Sequence, residues 1–284
     1  MENNIVFYKG NVNIEGFDDK SNTLLIENQN DKVFYICFDN YVPDNMKIDI
    51  VNSNVTIIET YNGKFEDLSF SINVDEKSSL NRFSIIVDTN NNLVVNRVVN
   101  NKGKYISMQI DLTDNNVDSN EDINLEQDGA LANVIDGIYA IENASKNYKT
   151  NLNHNVANAT SDAKIFAINN DEANISIYTD AYIKKGAIHT KTTQEGRIIN
   201  LSSNCYGIVL PNLHIDENDV EASHSCSVGS LNQDHIYYLE SRGLLEDEAR
   251  NVLIKGYFNP ILQEIENKEI LNKLNEILDK RIGK

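Results

Sequence analysis

From the N-terminus to about Pro211, the apolar residues of this chain come only in strand-sized runs: NIVFY, TLLIE, KVFYICF, KIDIV, VTIIE, FSIIV, LVVNRVV, YISMQIDL, ANISIY and RIINL. β-Branched and aromatic side chains fill them, as a pleated, half-buried surface requires. NN, DN, NG and DG pairs separate the runs, and these residues tolerate the left-handed backbone angles of turns. A chain written this way folds into many short strands. Sandwich, barrel and solenoid all satisfy the pattern, and periodicity does not choose among them. No fixed period recurs, although small-residue stations at Gly129-Ala130, Ala173 and Gly186-Ala187 favour a stack of irregular coils. At 284 residues the chain suits one elongated β unit with an appended subdomain.

The pattern changes after Val228, which divides the chain into a β core over residues 1–228 and a helical part over 229–284. LNQDHIYYLESRG reads as a helix with Ile236 and Leu239 on one side and Gly243 as its left-handed terminator. LEDEARNVLIKGYFNPILQEI reads as a second helix with acidic residues at its positive end and an apolar stripe at Ala249, Val252 and Leu253. Gly256 and Pro260 are expected to bend or break it. The last segment places Ile270, Leu271, Leu274, Ile277 and Leu278 on one face. Such helices either cap an open coil or present a docking surface.

With 25 basic against 43 acidic residues, the formal charge is -18. No Lys/Arg cluster could neutralise a phosphate backbone, so nucleic acid is a poor partner. The start MENNIVFYKG lacks the basic flank and apolar core of a signal peptide, and no apolar run approaches the roughly 18 residues of a membrane span. A cytoplasmic protein with no membrane partner is expected. Cys37, Cys205 and Cys226 make an odd count in a long chain, which fits reduced thiols.

His224 and Cys226 stand two apart, so on an extended strand they share one face, roughly 6 to 7 Å apart at about 3.3 Å per residue. Thiolate and imidazole so placed could reach one metal. A free cysteine is otherwise a small buried hydrophobe, the reading preferred for Cys37 and an equal alternative for Cys205. His224 could instead serve an interface without metal.

The C-terminal half resembles the SufB/SufD family of the Suf iron-sulfur cluster assembly system. NHNVANATSDAKIFAI (Asn153 to Ile168), Lys185-Gly186-Ala187, Gln194, Arg197 and PNLHI (Pro211 to Ile215) carry the likeness. It continues through Asp219-Val220, Ser223-His224, Val228-Gly229, YLESRG (Tyr238 to Gly243) and Glu248-Ala249-Arg250. The resemblance implies a right-handed parallel β-helix followed by a C-terminal helical subdomain. It implies a scaffold, not itself an enzyme, on which a transient iron-sulfur cluster is built or passed on at a dimer interface. A SufC-like ABC ATPase would dock on the C-terminal helices, and the chain itself has no GxxxxGK[ST] loop. A homodimer is the expected assembly, with a paralogous SufB/SufD heterodimer as the alternative. A separate sulfur donor is implied, and reduced flavin takes part in some Suf complexes.

Residue by residue, His224 matches the histidine that SufD-type members place at the dimer interface. Glu195 occupies the place of the SufB-type sulfur-accepting cysteine, directly after the matched Gln194. Cys205 lies ten residues further on than that cysteine's position. Ser225 replaces a SufB-type glutamate, and Glu221 is a nearby carboxylate without a secure match. The candidate cluster-binding set is therefore Cys226, His224, Cys205, Glu195 and Glu221, with Cys226, His224 and Cys205 as metal ligands. His154 is expected to order a turn, and His189, His214 and His235 belong to no evident constellation. Two alternatives remain: a SufD-like structural subunit with no ligand of its own, and a carbohydrate-active β-helix using paired carboxylates.

Overall fold

A computed structural model describes residues 3–7, 16–65, 67–263, 265 and 268–282. Its strands alternate between two nine-stranded sheets, so that each pair of strands closes one coil of a parallel β-solenoid of about 7 turns. The first sheet stacks β1 (Asn3–Phe7), β4 (Asn30–Asp39), β6 (Asn54–Gly63), β8 (Ser79–Thr89), β10 (Lys104–Asp111), β12 (Leu131–Ala140), β14 (Thr160–Asn169), β16 (Lys191–Asn200) and β18 (Glu221–Ser230). The second holds β2 (Phe17–Asp18), β3 (Thr23–Glu27), β5 (Met46–Val51), β7 (Asp67–Val74), β9 (Leu93–Asn101), β11 (Val117–Leu125), β13 (Ser145–His154), β15 (Asn174–Ile183) and β17 (Tyr206–Ile215). Among the described residues, only β2 and β3 pair antiparallel. The expected parallel β-helix is the fold observed.

The coils lengthen along the chain. Ser79 pairs with Lys104, Lys104 with Leu131, Leu131 with Thr160 and Thr160 with Lys191, spacings of 25, 27, 29 and 31 residues. A repeat that drifts in this way leaves no fixed period to find. The turns behave as their composition predicts: Asn22, Asn28, Asn40, Asn45, Asn52 and Asn158 all take positive φ. Other asparagines serve differently, as stacked rungs on the outer face of the second sheet. Asn73 donates to Asp49 at 2.6 Å, Asn100 to Asn73 at 2.9 Å, Asn124 to Asn100 at 3.2 Å and Asn153 to Asn124 at 3.2 Å. Stacked amides of this kind satisfy one another between in-register strands.

Alternate residues of each strand point inward, and the first coils are packed with Leu24, Ile26, Ile36, Phe38, Ile48 and Ile50. Further along, the interior turns polar. Arg82, 1% exposed, donates to Glu59 at 3.0 Å, Tyr105 at 3.0 Å, Ser107 at 2.8 Å and Glu121 at 3.3 Å. Arg97 reaches Gln109 and Tyr61, and Lys146 pairs with Asp111 at 2.9 Å. Buried charges paired with opposite charges and hydrogen-bonded in this way can be tolerated in a low-dielectric interior.

Three helices follow: α1 (Gln233–Ser241), α2 (Glu246–Leu262) and α3 (Lys268–Ile282). The strand-to-helix change falls just beyond the expected Val228, at Ser230. Gly243 does terminate α1, with φ +98, while the Gly243 and Leu244 amides return to Glu240 and Leu239. α2 corrects an expectation, for it runs through both Gly256 and Pro260. Pro260 sits in the last turn, where a missing N–H frees one bond, and Phe258, Ile261 and Leu262 anchor that turn on the sheet. Val252 also departs from the expected stripe, being 49% exposed while Ala249 is buried.

Nor do α2 and α3 simply plug the end of the stack. They lie along the outer face of the first sheet, where Ile254, Phe258, Ile261, Leu274 and Leu278 pack with Ile58, Met108, Ile135 and Phe166. Gly137 of β12 admits this approach, since a Cβ there would meet Ile261 Cδ1 at 2.5 Å. The Ile270 side chain lies outside the described residues. Among the described residues, no helix is long and apolar enough to cross a membrane.

Candidate functional site at the open last coil

β18 ends the first sheet and β17 the second, so each presents an edge with no further strand beside it among the described residues. Edges of this kind carry unpaired N–H and C=O groups. On β16, beneath β18, the inward residues are Thr192, Gln194, Gly196 and Ile198, all buried. β18 is in register above them: His224 stands over Gln194, Cys226 over Gly196 and Val228 over Ile198. His224 and Cys226 therefore occupy the interior-facing register, yet both are exposed, as is Val228 at 46%, because the stack ends there. The period-two reading of this pair holds, and it adds a direction: both groups face the mouth of the solenoid.

The other candidates lie elsewhere. Glu195 and Glu221 alternate onto the opposite, outer face of the sheet, where Glu195 pairs with Arg197 at 2.5 Å and Glu221 with Lys191 at 2.9 Å. Glu195 lines a cleft of about 260 Å³ beneath α2, together with Lys164, Phe166, Arg197 and Pro260. Cys205 sits in the loop beyond β16, half-buried, its Sγ 3.1 Å from the Ser202 carbonyl oxygen. Since Cys226 is level with Gly196, four residues before the strand ends, Cys205 is displaced by roughly 13 Å or more along the strand direction. Strand alternation and that loop thus separate Cys205, Glu195 and Glu221 from the His224–Cys226 pair. Among the described residues, no three His, Cys, Asp or Glu side chains gather to hold a metal ion.

A profile of the family described as SUF system FeS cluster assembly, SufBD core domain, matches residues 48–257. The chain belongs to the SufBD family. It is similar to the iron-sulfur cluster assembly protein SufD of Bacillus subtilis, 34% identical over 100 residues, which are 35% of this chain and 23% of that protein. A SufBD family protein of Mycobacterium tuberculosis is 29% identical over 101 residues, covering 35% of this chain and 25% of the relative. The SufD of Plasmodium berghei matches more of the chain, 82%, at 22% identity and over 18% of its own length. The matched stretches thus span about a quarter of these relatives or less. SufBD core-domain membership links the chain to SUF-system iron-sulfur cluster assembly and lends the carbohydrate-active reading no support.

Several residues of the SufBD-like motifs prove to be structural. His154 lies buried at the end of β13, its Nδ1 3.1 Å from the Tyr182 carbonyl oxygen and its Nε2 2.9 Å from Ser161 Oγ, a bond that spans the turn from β13 into β14. Burial pushes its pKa down to about 4, so the ring is neutral and ties β13 to β14 and to β15 of the next coil. The Lys185-Gly186-Ala187 segment is pinned by Glu217, whose carboxylate accepts from the Gly186 N–H at 3.0 Å and the Asn218 N–H at 2.8 Å. Those bonds hold the Glu217 pKa down at about 2. Cys37 is half-buried and accepts from Asn62 at 3.3 Å, in keeping with its structural reading.

One constellation escaped sequence reasoning. His214 of β17 stacks on Tyr182 at 4.4 Å, and its Nε2 lies 3.2 Å from Asp180 Oδ1, which also accepts from Asn212 at 2.9 Å. Only the register of β15 against β17, which aligns Tyr182 with His214 and Asp180 with Asn212, brings these together. His189 pairs with Asp219 at 3.1 Å, and His235 is exposed on α1.

Proposed function

We propose that this chain is a scaffold subunit that builds or passes on an iron-sulfur cluster where a second chain covers its open last coil. The observation that carries this reading is the placement of His224 and Cys226 in the interior register of an uncovered edge strand. Thiolate is a soft ligand for iron and sulfide, and neutral imidazole is a common completing ligand for iron. One chain offers two such donors, whereas clusters commonly take about four protein ligands. A second copy meeting edge to edge would supply another pair, and a paralogous SufB-type mate would supply its own.

The same reading gives the helical part, residues 229–284, the role of ATPase docking. α3 and the inner face of α2 are already used against the sheet. The free surface is α1 with the start of α2, where Tyr237, Tyr238, Leu245 and Val252 are 75%, 56%, 71% and 49% exposed. Exposed aromatic residues of this kind suit a protein interface. α1 has its N-cap at Asn232, directly after β18, so a SufC-like ATPase moving against α1 would act on the edge strand itself. Sulfur donor and reduced flavin would come from other components. A cytoplasmic setting suits the three free cysteines.

Anaerobic reconstitution with ferrous iron and sulfide tests the site. Wild-type protein should develop cluster absorbance, Cys226→Ser and His224→Ala should lose most of it, and Cys37→Ser should keep it. Equal absorbance in wild type and Cys226→Ser would reject the assignment. The separation of Cys205, Glu195 and Glu221 from the His224–Cys226 pair favours a second reading, a SufD-like subunit without a ligand of its own. Co-purification with a SufC-like ATPase, free of iron under anaerobic conditions, would select it.

A further inference from the structure

We infer that Gln194 is the positioning residue of the His224–Cys226 site, its amide oxygen accepting a hydrogen bond from a ring N–H of His224 and so turning the opposite ring nitrogen toward a bound metal. This rests on the metal-site reading of that pair.

Gln194 is 2% exposed and lies in the last covered coil. Its Nε2 donates to the Asn212 carbonyl oxygen at 3.4 Å, so the side chain spans the interior from the first sheet to β17 and floors the open mouth. Its Oε1 is buried and has no hydrogen-bond partner among the described residues. Buried acceptors are rarely left idle, and one that is calls for a reason. The surroundings offer few donors. Directly beneath in register are Ala163 and then Val134. Along the strand, Gly196 has no side chain, and the Thr192 hydroxyl is engaged with Ser161 Oγ at 2.8 Å. Across the interior, Asn212 is flanked by Pro211 and Leu213. Directly above stands His224.

In-register neighbours on adjacent strands are about 4.8 Å apart, within reach of a glutamine amide and an imidazole that share one face. A metal-binding histidine commonly donates its second ring N–H to an oxygen acceptor, which fixes the tautomer and the ring plane. Leucine would fill the Gln194 volume without an orphaned oxygen, so the amide serves something other than packing. Gly196 completes the pit, because a Cβ there would meet Val209 Cγ1 at 2.4 Å. The floor beneath Cys226 thus stays clear of any side chain from its own column.

The test uses the full chain, with zinc(II) as the probe and the protein labelled with ¹⁵N-histidine. In metal-free protein, Gln194→Leu should change the ring-nitrogen signals of His224. It should weaken zinc binding about 10- to 100-fold, the usual loss when such a supporting partner is removed, without lowering the thermal midpoint. Gln194→Glu, which keeps an acceptor oxygen, should restore most of the affinity. Unchanged His224 signals in Gln194→Leu would overturn the inference. So would zinc affinity equal to wild type in Gln194→Leu but lost in His224→Ala, and so would a lowered midpoint with affinity intact, which would make Gln194 a packing residue. Wild-type protein that binds no zinc, while its ring signals still depend on Gln194, would reject the metal-site reading and uphold the hydrogen bond.

Discussion

Arg82 and Arg97 lie in the solenoid's interior with Glu59 and Glu121 as counter-charges; Arg82 pairs with both carboxylates, and Arg97 approaches Glu59 at 3.8 Å. Arg82→Met should cost about 3–5 kcal/mol, because it takes the counter-charge from Glu121 in a dry interior and leaves Glu59 to the more distant Arg97. Urea unfolding reads this directly, as a fall in midpoint with an unchanged slope. Asp136 is the unbalanced member of the same interior: its Oδ1 has no partner, and burial, with Glu121 nearby, pushes its pKa up from 3.8 to about 8. A carboxyl group whose folded value is raised favours folding most below the unfolded value, so that contribution is lost as pH rises from 3.8 towards 8. Asp136→Asn should flatten this slope and raise the thermal midpoint at pH 8 more than at pH 4. Parallel midpoint-against-pH curves for wild type and variant would show that Asp136 is not the titrating group.

At the scale of the element, the C-terminal helices behave as part of the solenoid wall. Their apolar faces share one core with the first sheet, and Gly137 sets how closely α2 can approach. Gly137→Val should overpack that contact by about 1–3 kcal/mol. Hydrogen exchange should quicken in α2 and α3 while the early coils keep their protection, and uniform loss throughout the chain would contradict this arrangement. Strands were legible where their inward positions are apolar, as in TLLIE, KIDIV and ANISIY. β11, VDSNEDINL, and β13, SKNYKTNLNH, were not, because they direct Ser119, Glu121, Lys146 and His154 inward and asparagines outward. With both faces polar, the alternation that marks a strand disappears.

For the whole molecule, the open coil is the feature that asks for a second chain. A solenoid must cover or blunt its last edge, and β17 and β18 do neither within one chain. Val228→Lys would put a charge in the interior register of that edge and should weaken self-association by roughly tenfold or more, the effect of about 1.4 kcal/mol. Sedimentation over a range of concentrations would record the shift toward monomer. An unchanged association constant would place the interface elsewhere, and the exposed surface of α1 and α2 would then be the next face to test.

The order of residues alone determined the class of structure, the turns, the change from strands to helices, and the shared face of His224 and Cys226, because each depends on neighbours a few positions apart. The family likeness was equally legible in its short motifs. Tertiary structure decided what those faces meet. It set Gln194 beneath His224, turned Glu195 and Glu221 away, placed Cys205 beyond the strand end, and laid α2 and α3 along the sheet. These relations come from register between coils of unequal length, and a drifting repeat leaves no local signal of which residues stack.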